Sequence, residues 1–374
     1  MYLFIFDDNE NEEINMIGII TFHRAVNYGA VLQCFALQQT LDELEIENRV
    51  IDYRCQFIED HYSCIPTVSP AHIRQFIIEC FQIPMKFRCR KNFDDFLKRN
   101  LKMSSKYTRR EILSGKCKFD TFITGSDQVW NLEITGNDTT YLLDFVSENA
   151  KKISYAASLG PAEIAPRYLN EIQKYIKKFD VVSLREPSAI EMIKKISNKK
   201  VEVDVDPTVL LDINVWIALV NKSKMKANKF IFVYLMQDSS ILREKALQIE
   251  REENLEIRFI GMVDNIPVIG KNMKGASVED FLWMIKNAEY VITNSFHGIM
   301  FSMRFEKQFY WAYQTGKKMS NPRFQMLNQY YGIEKCCCNN QDLRELDYKY
   351  IRNKMDEQRE QSITNIKKYI LESS

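Results

Sequence analysis

Four polar turns carry the residue types that could do chemistry. In Ser295-Phe296-His297-Gly298, one of only four histidines in the chain stands between an aromatic ring and a glycine. A histidine exchanges its proton near neutral pH, which suits general acid or base work. In Ser183-Leu184-Arg185-Glu186, the arginine offers a planar fork to a carboxylate or a phosphate, and Glu186 could accept a proton. Asp127, in Gly125-Ser126-Asp127-Gln128, is a second candidate base. Asn27, Tyr28 and Gln33 flank Gly29 with amide and phenol groups able to hold a polar ligand. Plainer readings stand beside these. Ser, Asn and Asp at a strand-to-helix turn are often N-caps. Arg185-Glu186 reads equally as a surface ion pair, and Tyr28 and Trp130 as packing residues.

The elements that must position these turns alternate between strand and helix. Short β-branched apolar runs over residues 17–22, 49–53, 121–124, 152–156, 181–184 and 201–205 read as buried strands. Helical spacing appears between them, as in Leu169, Ile172, Ile176 and Phe179. A second series begins after a lysine-rich stretch near residues 221–229. Its strands fall over 230–235, 257–261, 290–293 and 308–313, and a long amphipathic helix covers 350–371. Parallel strands need such crossovers. The pattern predicts an α/β protein of two Rossmann-like domains facing a cleft. The expected division is a disordered lead over 1–15, an N-terminal domain over 16–212 and a C-terminal domain over 213–374. Residues 58–118 read as a basic insertion of helices and loops. Ligands in such sheets bind beyond the carboxyl ends of the strands, where all four polar turns lie.

Composition excludes some classes. The formal net charge of the 374 residues is +1, so nothing global points to nucleic acid. Residues 74–118 hold thirteen Lys/Arg against four Asp/Glu, a patch that fits anionic lipid or phosphate as well as it fits a solvated surface. The nine cysteines lack paired metal-ligand spacing and read as free thiols of a reducing cytoplasm. No metal or cofactor is expected. No strand is followed by the Gly-x-Gly-x-x-Gly turn of a dinucleotide site.

Taken in order, Asn27-Tyr28-Gly29-Ala30-Val31-Leu32-Gln33, Gly125-Ser126-Asp127-Gln128-Val129-Trp130-Asn131, Ser183-Leu184-Arg185-Glu186 and Asn294-Ser295-Phe296-His297-Gly298 resemble the polysaccharide pyruvyl transferases. Ser154-Tyr155-Ala156-Ala157-Ser158-Leu159-Gly160 and Asp206-Pro207-Thr208 support the match. The resemblance implies the GT-B arrangement of two-domain glycosyltransferases, with phosphoenolpyruvate as co-substrate and a sugar diol as acceptor. It implies donor contacts from Arg185 and His297, with Ser295, Phe296 and Gly298 completing the donor turn. Asp127 joins His297 and Arg185 as a catalytic candidate. Asn27, Tyr28, Gln33, Glu186 and Arg323 are the acceptor candidates. The acceptor itself would be a cell-surface polysaccharide or its lipid-linked repeat unit, met in the cytoplasm at the inner membrane face. A nucleotide-sugar-dependent glycosyltransferase and a non-catalytic carbohydrate-binding subunit fit the same two-domain pattern.

Overall fold

The computed structural model describes residues 16–64, 73–160, 164–226, 229–263, 266–314, 322–340 and 343–371. The lead expected over 1–15 lies outside them. The first half runs β1 (Ile17–Ile20), α1 (Tyr28–Glu43), β2 (Asn48–Arg54), α2 (Gln56–His61), α3 (Ile73–Asn100), β3 (Met103–Thr108) and α4 (Arg109–Leu113). It continues with β4 (Thr121–Thr124), β5 (Lys151–Ala157), α5 (Pro166–Ile176), β6 (Val181–Leu184), α6 (Ile190–Ser197), β7 (Val201–Val203) and α7 (Ile213–Val220). The second half runs β8 (Phe230–Leu235), α8 (Ser240–Glu253), β9 (Glu256–Gly261), β10 (Lys271–Asn272), α9 (Val278–Asn287) and β11 (Tyr290–Thr293). It ends with α10 (Phe296–Arg304), β12 (Phe309–Trp311), α11 (Pro322–Tyr331) and α12 (Tyr348–Leu371).

Two parallel sheets result, in the orders β3-β2-β1-β4-β5-β6-β7 and β10-β9-β8-β11-β12. The central strands β1, β4 and β8 are buried along their whole length. That explains their unbroken apolar runs, since helices cover both faces of a parallel sheet. The protein is thus α/β with two Rossmann-like halves facing a cleft, the GT-B arrangement.

The basic stretch departs from the expectation of helices and loops alone. β3 is an edge strand of the first sheet, paired parallel to β2. Its sequence, Met-Ser-Ser-Lys-Tyr-Thr, is polar because much of it faces solvent. Several of the stretch's cations are engaged in ion pairs. Arg90 meets Glu59 at 2.9 Å, Arg99 meets Glu279 at 3.0 Å and Lys102 meets Asp42 at 2.9 Å. Arg24 binds Asp52 at 2.6 Å and Asp94 at 3.1 Å, which fastens α3 to the ends of β1 and β2. Burial alone would raise the Asp52 carboxyl, but hydrogen bonds from His23 and Arg24 and the Arg24 charge hold it well below the usual carboxylate range.

One apolar core runs through both halves. Helix α1 lies at its centre and is buried on nearly every side from Tyr28 to Leu37. The Tyr28 ring stacks on Phe281 with centroids 4.3 Å apart, and its hydroxyl donates to the Ala276 carbonyl at 2.9 Å. Phe35 and Phe301 both pack against Trp216, at 5.9 and 4.9 Å. Helix α12 then crosses back to the first half. Asn365 and Tyr369 each donate to the Asp204 carboxylate at 2.8 Å, and Ser183 donates to it at 2.5 Å.

The Tyr28–Phe281 contact belongs to the seam between the halves. Phe281→Ala should lower unfolding stability by about 3–5 kcal/mol, read from urea denaturation. A loss below about 1 kcal/mol would show that the seam is not packed as described.

Candidate active site at the seam of the two halves

The site begins with a carboxylate that the sequence reading gave no role. Asp206 follows β7, caps the short 3₁₀ turn at Pro207–Val209 through the Thr208 amide, and is 2% exposed. Its Oδ1 accepts from the Thr208 amide at 3.1 Å and hydroxyl at 2.8 Å. Its Oδ2 accepts from Arg185 Nη1 at 2.8 Å and from the Ser126 hydroxyl at 3.3 Å. The same oxygen stands 3.4 Å from His297 Nε2, in ion-pair reach without hydrogen-bond geometry. Burial alone would raise the Asp206 carboxyl, but the His297 imidazole and the Arg185 guanidinium hold it well below the usual carboxylate range.

Arg185 is 1% exposed. Its Nε donates to Glu186 at 2.9 Å, and its Nη2 stands 3.9 Å from Asp127 and has no hydrogen-bond partner. Burial would loosen the guanidinium proton, but Glu186, Asp206 and Asp127 outweigh that and raise the group above its usual value. The Phe296 ring covers the guanidinium at 4.6 Å. Arg185 is therefore a buried cation among three carboxylates.

His297 reaches this point from the other half. Thr293 Oγ1 donates to the Tyr234 carbonyl at 2.6 Å and accepts from the Ser295 amide at 3.0 Å, which sets the exit from β11. Ser295 caps α10 by accepting from the Gly298 amide at 3.3 Å. Asn294 ties the turn to the end of β8 through the Met236 amide at 2.7 Å and the Gln237 carbonyl at 2.9 Å. The imidazole then lies against the backbone of Gly29 in the first half. A Cβ at Gly29 would fall 1.9 Å from His297 Nδ1.

A cavity of about 280 Å³ opens above these groups. Asn27, Asp127, Ser295, His297 and Arg323 line it, and Tyr62 closes one end. Asp127 sits at φ 68°, a left-handed conformation that costs energy for a non-glycine residue and recurs at functional sites. Arg323 Nε is buried without a hydrogen-bond partner. Burial lowers the Arg323 guanidinium from its usual value, and the nearby Arg185 charge adds to that.

The structure brings Arg185, Asp127, Glu186, Ser295, Phe296, His297 and Arg323 together. It also corrects some assignments. Gln33 is wholly buried. Its amide donates to Thr21 and Ala30 at 2.8 Å each and accepts from the Ser126 amide at 3.1 Å, so it holds the Asp127 turn and is closed to an acceptor. Tyr28 is spent on the seam. Asn27 reaches the cavity wall, but its Oδ1 accepts from Gly29 and Ala30 as the cap of α1. Gly298, placed in the donor turn by the resemblance, has a packing reason of its own: a Cβ there would meet Thr293 Oγ1 at 2.6 Å, so the glycine lets α10 pack on β11. Arg323, an acceptor candidate, lines the same cavity as His297. Asp206 went unassigned because an acid before Pro-Thr at a strand end reads as a cap, and half of its job is that.

A second cavity, of about 270 Å³, adjoins the first across Tyr62. Helix α3 supplies Met85, Lys86 and Phe93 to it, α2 supplies His61, and the carboxyl end of β9 and the loop after β10 supply Gly261 and Lys274. Among the described residues no group of three or more potential ligands is gathered to hold a metal ion.

A family model described as polysaccharide pyruvyl transferase matches residues 27–313. No curated protein matches. Solved structures match over most of their length at low identity. UDP-GlcNAc 2-epimerase of Methanocaldococcus jannaschii, in complex with UDP-GlcNAc and UDP, is 11% identical, with 92% of each chain covered and a TM-score of 0.48. A putative UDP-N-acetylglucosamine 2-epimerase of Listeria monocytogenes is 11% identical, covering 96% of this chain and 98% of its own, with a TM-score of 0.47. An alpha-glucosyltransferase in complex with UDP and DNA is 10% identical, covering 96% and 99%, also with a TM-score of 0.47.

Asp206→Asn should destabilise the fold by about 3–5 kcal/mol at neutral pH, because it leaves Arg185 short of a buried partner. The depressed carboxyl also fixes a sign. Its stabilisation is complete above the unfolded value of about 4 and fades as pH falls below it. The wild type should therefore lose stability more steeply than Asp206→Asn on acidification. Parallel acid profiles in chemical denaturation would exclude the ionised bridge.

Proposed function

The chain belongs to the polysaccharide pyruvyl transferase family, and from that premise we propose that it transfers pyruvate from phosphoenolpyruvate as a ketal onto two hydroxyls of a sugar. The observation that carries this reading is the convergence of His297, Arg323 and Asp127 on one cavity, above the buried Arg185–Asp206 pair.

The donor carries a carboxylate and a phosphate. Glu186, Asp206 and Asp127 together outweigh the Arg185 charge. Arg323, which lines the cavity, is then the cation placed to meet the donor. Arg185 is a positioning residue that fixes Asp206, and through it the face His297 presents. In the reaction His297 gives a proton to the enol carbon C3, and the central carbon C2 becomes electrophilic. A sugar hydroxyl adds to C2 and releases its proton to Asp127. The C2–oxygen bond to phosphate then breaks, phosphate leaves with the bonding pair, and the second hydroxyl closes the ketal. Its proton is returned to His297 or carried off by phosphate.

The acceptor sugar is assigned to the second cavity, where His61 and Tyr62 offer ring faces and Lys86 and Lys274 suit an anionic substituent. A cell-surface polysaccharide unit, carried on a lipid and met at the cytoplasmic face of the membrane, fits that lining.

The test is acceptor-dependent phosphate release from phosphoenolpyruvate. His297→Ala should keep the fold and cut turnover by about a hundredfold or more. Gly29→Ala displaces the imidazole without removing it and should cost about a hundredfold in turnover, with a loss of about 1–3 kcal/mol of stability from the overpacked seam. Thermal stabilisation by UDP and none by phosphoenolpyruvate would overturn the reading in favour of a nucleotide-sugar enzyme.

A further inference from the structure

Helix α3 has two differently used faces. Its inward positions Met85, Lys86, Cys89 and Phe93 line the second cavity. Its outward positions Phe81, Pro84, Phe87, Arg88 and Lys91 are all exposed, and each lies three or four residues from another of them, which puts them on one side of the helix. Phe81 is 82% exposed and Phe87 is 56% exposed. Among the described residues, nothing covers either ring well enough to give it a packing role.

We propose that this outer face of α3 docks on an anionic lipid surface. The charge around the two rings is matched to such a surface. Arg88 and Lys91 lie on the same face, and Asn92 donates to the Gly275 carbonyl at 2.8 Å, which brings the loop after β10 alongside the helix, next in the chain to the exposed Lys271 of β10. Among the described residues, Glu59 is engaged by Arg90 at 2.9 Å and Asp94 by Arg24 at 3.1 Å; Asp95 and Lys91, 3.5 Å apart, form an exposed pair that water screens. Aromatic side chains beside exposed cations characterise helices that lie in the membrane interface, the rings entering the headgroup boundary and the cations meeting anionic lipid. A symmetric contact with a second copy is disfavoured by the same charges, since a two-fold axis through this face would set Arg88 and Lys91 against their own images.

The structure also corrects which cations take part. Arg90 is turned inward to Glu59, and Lys86 lines the cavity. Docking through Phe81 and Phe87 sets the wall of the second cavity beside the bilayer, where a sugar tethered to lipid can reach it. That last consequence rests on the functional reading above; the docking itself does not.

The experiment is flotation of the full chain with vesicles of phosphatidylcholine alone and of phosphatidylcholine with phosphatidylglycerol. The wild type should float with the anionic vesicles and stay behind with the neutral ones. Phe81→Ser/Phe87→Ser and Arg88→Glu/Lys91→Glu should each reduce the bound fraction by about tenfold or more, while stabilisation by phosphoenolpyruvate stays at the wild-type level. Failure of the wild type to float, or equal flotation of either double variant, would overturn the proposal. So would a dimer in sedimentation that the Phe81/Phe87 variant dissolves, because a second copy would then own the face. Flotation intact in a protein that no phosphoenolpyruvate stabilises would leave the docking standing and count against the functional reading alone.

Discussion

A carboxylate buried without partners costs several kcal/mol, and the site is arranged around meeting that cost at Asp206. Arg185 and Thr208 bind it from its own half, and His297 approaches from the other. Neither half alone supplies the full set. The geometry at the seam is in turn fixed by apolar packing, with Tyr28 stacked on Phe281 and Trp216 held between Phe35 and Phe301. The chemistry-bearing residues are a product of the contact between the halves.

Charge is layered in depth at this seam. Beneath the cavity lies the buried Arg185 guanidinium with Asp206 and Glu186, while Asp127 reaches the cavity wall itself. On the cavity wall lie Arg323 and His297, where an anionic ligand can meet them. The two guanidinia differ in their surroundings: Arg185 stands among carboxylates, and the charge nearest in effect on Arg323 is that of Arg185 itself.

Much of this was legible in the sequence where burial dictates composition. The strands β4, β8 and β11 are apolar on both faces, so their positions could be read to the residue. The four turns that follow strands are the ones that meet at the seam. Legibility failed where a residue's surroundings come from distant parts of the chain. β3 is polar because it is an edge, and it looked like a loop. Gln33 and Tyr28 carry groups that could bind a sugar, but α1 is enclosed on nearly every side, and only the packing of both halves against it reveals that. Asp206 could be seen as a cap, while its second role depends on a histidine contributed by the other sheet. Gly298 and Gly29 invert the expectation: the glycine inside the histidine turn serves helix packing, and the one in the opposite half makes room for the imidazole.

The strap formed by α12 bears on the order in which the chain can finish folding. Burial raises the Asp204 carboxyl, and the hydrogen bonds that offset this include those from Asn365 and Tyr369, with Ser183 supplying another. On the ribosome the first sheet emerges long before those two residues do. Until they arrive, the end of β7 beside the Asp206 turn lacks its cover, and the nascent first half is a partly finished surface of the kind that chaperones hold. Completion of the seam therefore waits on a helix that lines no part of the cavity between His297 and Arg323.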